Sequence, residues 1–183
     1  MILLLRLYFI FIPNLILPER TILINIASIQ KLLRKALLYR IMTNVEKLVS
    51  NSGLSHQKIS SSTGRKGNWF NDAYNNNEDI HLSSLSKILS VVNDHTEINQ
   101  YQLTDIFDKK VLRLSSVMSS LADETEATIN NFIISELDLF IDLLGDWGSL
   151  DSKNKLSSQE HTCFEELQKL IKQLANKGGK SNG

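Results

Sequence analysis

Apolar residues recur at helical spacing through most of this chain. From Leu103 they fall at Phe107, Val111, Leu114, Met118 and Leu121, at spacings of four, four, three, four and three that make a heptad-like seam. A second run carries Ile129, Phe132, Ile133, Leu137, Phe140, Ile141 and Leu144. Gly145 and Gly148, around Trp147, mark its expected end, and the polar stretch from Ser149 to Ser158 reads as a loop. A last amphipathic helix carries Phe164, Leu167, Leu170, Ile171 and Leu174, and residues 177–183 read as a disordered tail. Upstream, Val45, Leu48 and Val49 share one helical face, and Leu82, Leu85, Ile88 and Leu89 share another. Between them lie a helix with Ile59 on its buried face and a short one with Phe70 and Ala73 at i, i+3. Thr96 to Gln102 is a polar connector. The pattern predicts an all-α protein.

Residues 53–89 read GLSHQKISSSTGRKGNWFNDAYNNNEDIHLSSLSKIL. Ser55 suits the N-cap of a helix, and Gly64, nine residues on, suits a turn that needs φ > 0. The Gly-Leu-Ser opening, the Thr-Gly turn, the apolar pair Phe70 and Ala73 and the closing Leu-x-x-Leu-x-x-Ile-Leu register follow one another without a gap. In this the stretch resembles the lambda Cro/repressor-like (XRE-type) family of regulators. The likeness covers about a quarter of the chain, with Val45, Leu48 and Val49 as the face of a preceding helix. There are departures. His56 stands in the family's usual Gln slot, Arg65 at a normally apolar turn position, and Asn76 where a Gly is common.

The resemblance implies a helix-turn-helix whose second motif helix lies in the major groove of DNA. It places Lys66, Gly67, Asn68, Trp69, Asn71 and Asp72 at the groove. Lys66 suits a phosphate, Asn68 suits adenine N6/N7, and Asp72 suits cytosine N4. Gly67 has no side chain, so one usual base contact is missing. Trp69 either touches a thymine methyl or packs beside Phe70. His56 and Gln57 suit phosphate contacts, and Arg65 belongs to the basic cluster Lys58, Arg65, Lys66 around the turn. Asn75, Asn76 and Asn77 form a polar turn that either approaches the DNA backbone or is only a loop.

The organisation expected is an N-terminal helix-turn-helix module over 42–95, followed by a C-terminal helical bundle or hairpin over 96–176. Two or three heptads are too short for a free-standing coiled coil. The C-terminal helices therefore pack on one another or pair with a second copy. The reading taken is a homodimer through residues 103–144, because one helix-turn-helix contacts few base pairs and two half-sites multiply the contact.

Residues 1–41 differ in composition. They contain both prolines of the chain and no Gly, Val or Asp. Three readings remain open: a start set upstream of the true one at Met42, a membrane anchor in MILLLRLYFIFIPNLILP, and a genuine amphipathic extension. Ser28 to Ile41 has a basic helical pattern suited to a membrane surface. A protein beginning at Met42 is expected to fold, and a membrane contact depends on residues 1–41 being translated.

Charge qualifies the picture. Twenty basic and twenty acidic residues cancel, and residues 42–95 hold five of each. Phosphate neutralisation by excess Lys and Arg is therefore not a property of the whole module. The single cysteine, Cys163, permits no intrachain disulfide and no cysteine-based metal site, which suits a reducing, cytoplasmic setting. His56, His81, His95 and His161 lack ligand spacing, and there is no Gly-rich phosphate loop or nucleophile elbow. No catalytic residue, metal or cofactor is expected. The function expected is sequence-specific binding of double-stranded DNA by a transcriptional regulator of phage or mobile-element type. The alternative is a non-enzymatic helical scaffold that binds a protein partner.

Overall fold

The structure is a computed structural model that describes residues 25–96, 100–125 and 127–178, with side chains as far as Leu174. Among these residues every regular element is a helix. The longest, α1 (Ile26–Asn51), starts where the Asn25 side chain accepts the Ala27 N–H at 2.8 Å. Its 26 residues span about 39 Å at the usual rise per residue. Then follow α2 (His56–Ser62), α3 (Trp69–Asn76), α4 (Leu82–His95), α5 (Leu103–Ile106), α6 (Lys109–Leu121), α7 (Ile129–Ser135), α8 (Leu137–Ser152) and α9 (Ser158–Gly178).

Two apolar cores are strung along α1. Its N-terminal half contributes Ile29, Leu32, Leu33 and Ala36 to a core filled by α6, α7, α8 and α9. Its C-terminal half contributes Ile41, Met42, Val45, Leu48 and Val49 to a second core with Ile59 of α2, Phe70 and Ala73 of α3, and Leu85, Ile88 and Val92 of α4. Ile106 and Val111 close this second core. One helix thus belongs to both halves of the molecule.

The composition break at Met42 leaves no mark on the backbone, since α1 runs straight through it. The apolar face of Ser28 to Ile41, which suits a membrane surface in isolation, is buried within the protein instead, Ile29 to Ala36 against the C-terminal helices and Ile41 in the second core. The stretch MILLLRLYFIFIPNLILP lies outside the described residues. No helix among the described residues is long and apolar enough to cross a membrane.

The glycines at 145 and 148 do not end a helix. α8 continues through both to Ser152, and the loop shrinks to residues 153–157. Helical glycine costs about 1 kcal/mol relative to alanine. Trp147 between them offsets that cost, because its ring is wholly buried and its Nε1–H donates to the Leu32 carbonyl at 2.9 Å. Phe140 and Phe164 flank the ring, at centroid distances of 6.1 and 6.3 Å.

The seam from Leu103 to Leu121 is not one helix. Asp108 accepts the Val111 N–H at 2.9 Å and caps a new helix, which separates α5 from α6. The run from Ile129 to Leu144 is likewise divided, at Glu136. Leu114 and Leu121 are fully buried inside the chain's own core. At the expected tail, residues 177 and 178 close α9, and 179–183 lie outside the described residues.

Polar contacts fasten the halves together at the middle of α1. Arg40 Nη2 donates to Asp142 Oδ2 at 2.8 Å, and Arg40 Nε donates to Asp146 of the same helix, α8. Lys110 of α6 reaches Asp142 at 3.1 Å. Burial pushes the Asp146 carboxyl above its ordinary range, more than the bonds from Arg40 pull it down. Burial also acts on Asp142, but there Lys110 and Arg40 together bring the carboxyl below its ordinary range.

Candidate nucleic-acid interface

The turn between α2 and α3 follows from a few residues. Ser55 caps α2 by accepting the Lys58 N–H at 3.2 Å. The helix closes in a paired bond pattern: Arg65 N–H reaches the Ser60 carbonyl at 2.9 Å and Gly64 N–H the Ser61 carbonyl at 3.0 Å. This closure requires a left-handed residue at 64, where φ is +76°, and glycine meets it without strain. Thr63 is buried and returns its hydroxyl to the Ile59 carbonyl at 2.9 Å.

Ser60 fixes where α3 begins. Its hydroxyl is fully buried, donates to the His56 carbonyl at 2.9 Å and accepts the Phe70 N–H at 3.0 Å. One of the unpaired N–H groups at the start of α3 is thereby satisfied from α2. Phe70 then inserts fully buried into the second core, edge-on to the His56 ring at 5.0 Å.

The expected groove residues divide into two sets. Gln57, Lys58, Lys66, Gly67, Asn68 and Asp72 are exposed around the α2–α3 junction. Asn68 occupies the N-cap of α3 yet makes no capping bond with its side chain, so its amide is not used by the helix. Three more make contacts within the protein, Arg65 while still exposed and Trp69 and Asn71 half-buried. Arg65 lies over the Trp69 ring at 5.0 Å and donates to Ser84 Oγ of α4 at 3.4 Å. Trp69, half-buried, packs beside Phe70 at 6.4 Å. Asn71 Oδ1 faces His56 Nδ1 at 3.2 Å.

His56 is held from its other side by Glu46 of α1, with Oε2 at 2.7 Å from Nε2. No periodicity signals Glu46, which sits ten residues before His56 on another helix. Ser60 is equally silent in the sequence, as one of four consecutive serines and threonines from 60 to 63. The polar run 75–77 is built into the fold: Asn75 and Asn76 finish α3, and Asn77, at φ +53°, donates from Nδ2 to the Lys35 carbonyl at 3.1 Å.

Tyr74 titrates above its ordinary range because burial, and then the Glu46 charge, disfavour the phenolate. Among the described residues no group of His, Cys, Asp and Glu is arranged to hold a metal. Burial, with Glu166 adding to it, pushes the Cys163 thiol to about 12. Such a thiol stays protonated at neutral pH and is a poor nucleophile.

No family model matches this chain, and neither the curated proteins nor the solved structures yield a significant match.

Proposed function

We propose that the protein binds double-stranded DNA in a sequence-specific way through α2 and α3, as a helix-turn-helix regulator of phage or mobile-element type. The observation that carries this reading is Asn68: an N-cap amide left unspent at the exposed start of α3, beside Lys66. A helix presented by its N-terminal residues to the major groove needs such unspent groups there. Asn68 would pair with adenine, Lys66 and Gln57 would meet phosphates, and Asp72 would accept from cytosine N4. Arg65, stacked on Trp69 and bonded to Ser84, would hold the turn and contact phosphate with its remaining N–H groups.

The mechanism is occlusion or recruitment at a promoter. One module of balanced charge binds weakly, so a second copy belongs to this reading. Leu114 and its neighbours are spent on the internal core, which moves any contact with that copy to outward positions of α6 and α8.

The test is binding of the full chain to a randomised duplex library at several salt concentrations. Enrichment of one sequence, with affinity falling as salt rises, is the expected result. Equal recovery of all duplexes, or none, would overturn the proposal and leave α2 and α3 as a scaffold for a protein partner.

A further inference from the structure

Both ring nitrogens of His56 face oxygen atoms. Nε2 lies 2.7 Å from Glu46 Oε2 and Nδ1 lies 3.2 Å from Asn71 Oδ1. The carboxylate is itself positioned, since Glu46 Oε1 accepts the Ser50 hydroxyl at 2.9 Å. The titratable groups facing the ring are Glu46 from α1 and Tyr74 from α3, whose ring is 6.1 Å away. Phe70 closes the apolar side.

A carboxylate only accepts hydrogen bonds, so Glu46 requires a proton on Nε2 whether the ring is neutral or charged. The difference between the two states then falls wholly on Nδ1. In the neutral ring Nδ1 is a bare acceptor, and Asn71 satisfies it by turning its NH₂ inward and its oxygen outward. In the imidazolium Nδ1–H is a donor, and Asn71 satisfies it by turning Oδ1 inward and its NH₂ outward. Oδ1 is the Asn71 atom that lies toward Nδ1, at 3.2 Å. A half-turn of the terminal amide exchanges the two, and among the described residues His56 is the only hydrogen-bond partner of the Asn71 side chain.

We propose that protonation of His56 decides which group Asn71 presents to the duplex, so that base preference at one position depends on pH. The inference rests on the DNA-binding reading. With His56 neutral, Asn71 offers an acceptor, suited to the amino group of cytosine or adenine. With His56 charged, it offers a donor, suited to guanine O6/N7 or thymine O4. His56 is then a positioning residue, held by Glu46, that sets specificity without touching a base.

Two measurements on the full chain test this. The first follows the His56 ring nitrogens and the Asn71 side-chain amide by NMR between about pH 5 and pH 8, the range in which histidine charge changes. Both should move with one midpoint, and in His56→Gln the Asn71 transition should vanish. The second repeats the selection from a randomised duplex library at the two ends of that range. One position should change its preferred base by at least about fivefold, the low end of what one base contact discriminates. The other positions should hold, and both His56→Gln and Asn71→Ala should lose the pH dependence. An Asn71 amide that ignores His56 overturns the inference whatever the DNA result. An amide that follows His56, with a selected sequence indifferent to pH, also overturns it. An amide that follows His56 with no duplex selected at either pH removes the DNA-binding reading, and the inference about base preference falls with it.

Discussion

Trp147 and Leu32, 115 residues apart, are joined by a 2.9 Å hydrogen bond from the indole N–H to the backbone carbonyl. The bond ties α8 to the N-terminal half of α1. Around it the C-terminal core takes Ile29, Leu32, Leu33 and Ala36 from residues that precede Met42. A protein beginning at Met42 therefore loses one wall of that core. Each of the three large side chains contributes about 2 kcal/mol of burial, against a total stability of about 5–15 kcal/mol. We expect residues 42–183 to lose cooperative melting of the C-terminal half, while residues 26–183 retain it. Circular dichroism melts with Trp147 fluorescence check this, and equal melting of the two proteins would sink it.

The ion-pair node at Arg40 gives a second prediction. Arg40 is about nine-tenths buried and faces Asp142 and Asp146, so Arg40→Ala leaves Asp146 without its ion-pair partner, and Lys110, paired with Asp142, acts on it only from farther off. Removing one partner of such a pair costs about 3 kcal/mol. The sign with pH follows from the Asp146 shift, which is upward. A carboxyl raised on folding disfavours the folded state once pH exceeds its unfolded value, and this penalty disappears as pH falls below it. Loss of Arg40 raises Asp146 further, so the destabilisation of Arg40→Ala should be largest at neutral pH and shrink on acidification through the carboxylate range. Asp138 behaves oppositely: the Arg113 hydrogen bond lowers its carboxyl, and its small contribution is lost as pH falls. Urea melts of both proteins at neutral and acid pH decide the matter.

What could be read in advance follows local chemistry. The α2–α3 turn was legible because Ser55 and Gly64 act on their own neighbours, a cap and a left-handed closure. The helices α4 and α9 were legible because their apolar faces are regular. Three features were not. Gly145 and Gly148 carry the usual sign of a helix end, and only the distant carbonyl of Leu32, which receives the Trp147 N–H, explains why α8 continues. The break at Asp108 depends on a side-chain cap inside an unbroken run of helical apolar spacing. The contact between His56 and Glu46 joins two helices whose relative placement no local spacing states. At the candidate interface the residues were assigned by register, whereas the contacts of Arg65 with Trp69, of Trp69 with Phe70 and of Asn71 with His56 required the tertiary structure.

The groove face yields its own test. Asn68→Ala should lose discrimination at one base position by about 1–3 kcal/mol if the amide pairs bidentately. Lys66→Ala should weaken all duplexes alike and lower the salt slope by about one. Neither side chain holds the fold, since both are exposed. Their melting temperatures should therefore match the parent. Binding isotherms on the selected duplex and on a scrambled one separate these effects, and unchanged binding in both variants would remove α3 from the interface.

The last prediction concerns Ser60, whose hydroxyl is the only direct hydrogen bond between α2 and the backbone at the start of α3 among the described residues. Ser60→Ala removes an oxygen that accepts the buried Phe70 N–H and leaves that donor without a partner. An orphaned buried amide costs about 1–3 kcal/mol. The loss is local, because Phe70 still fills the second core and the C-terminal core is untouched. Hydrogen exchange should therefore rise at Phe70 and through the first turn of α3, with little change in α8 or α9. The same tie positions Asn68 and Lys66 two and four residues upstream of Phe70. If α3 reads DNA, Ser60→Ala should weaken binding more than its loss of global stability explains, since a helix that frays at its first turn presents those residues poorly. Ser60→Thr keeps the acceptor oxygen and should recover the Phe70 protection, unless the added methyl finds no room at this fully buried site. Should Ser60→Ala exchange like the parent at Phe70, the hydroxyl would not be what fixes α3.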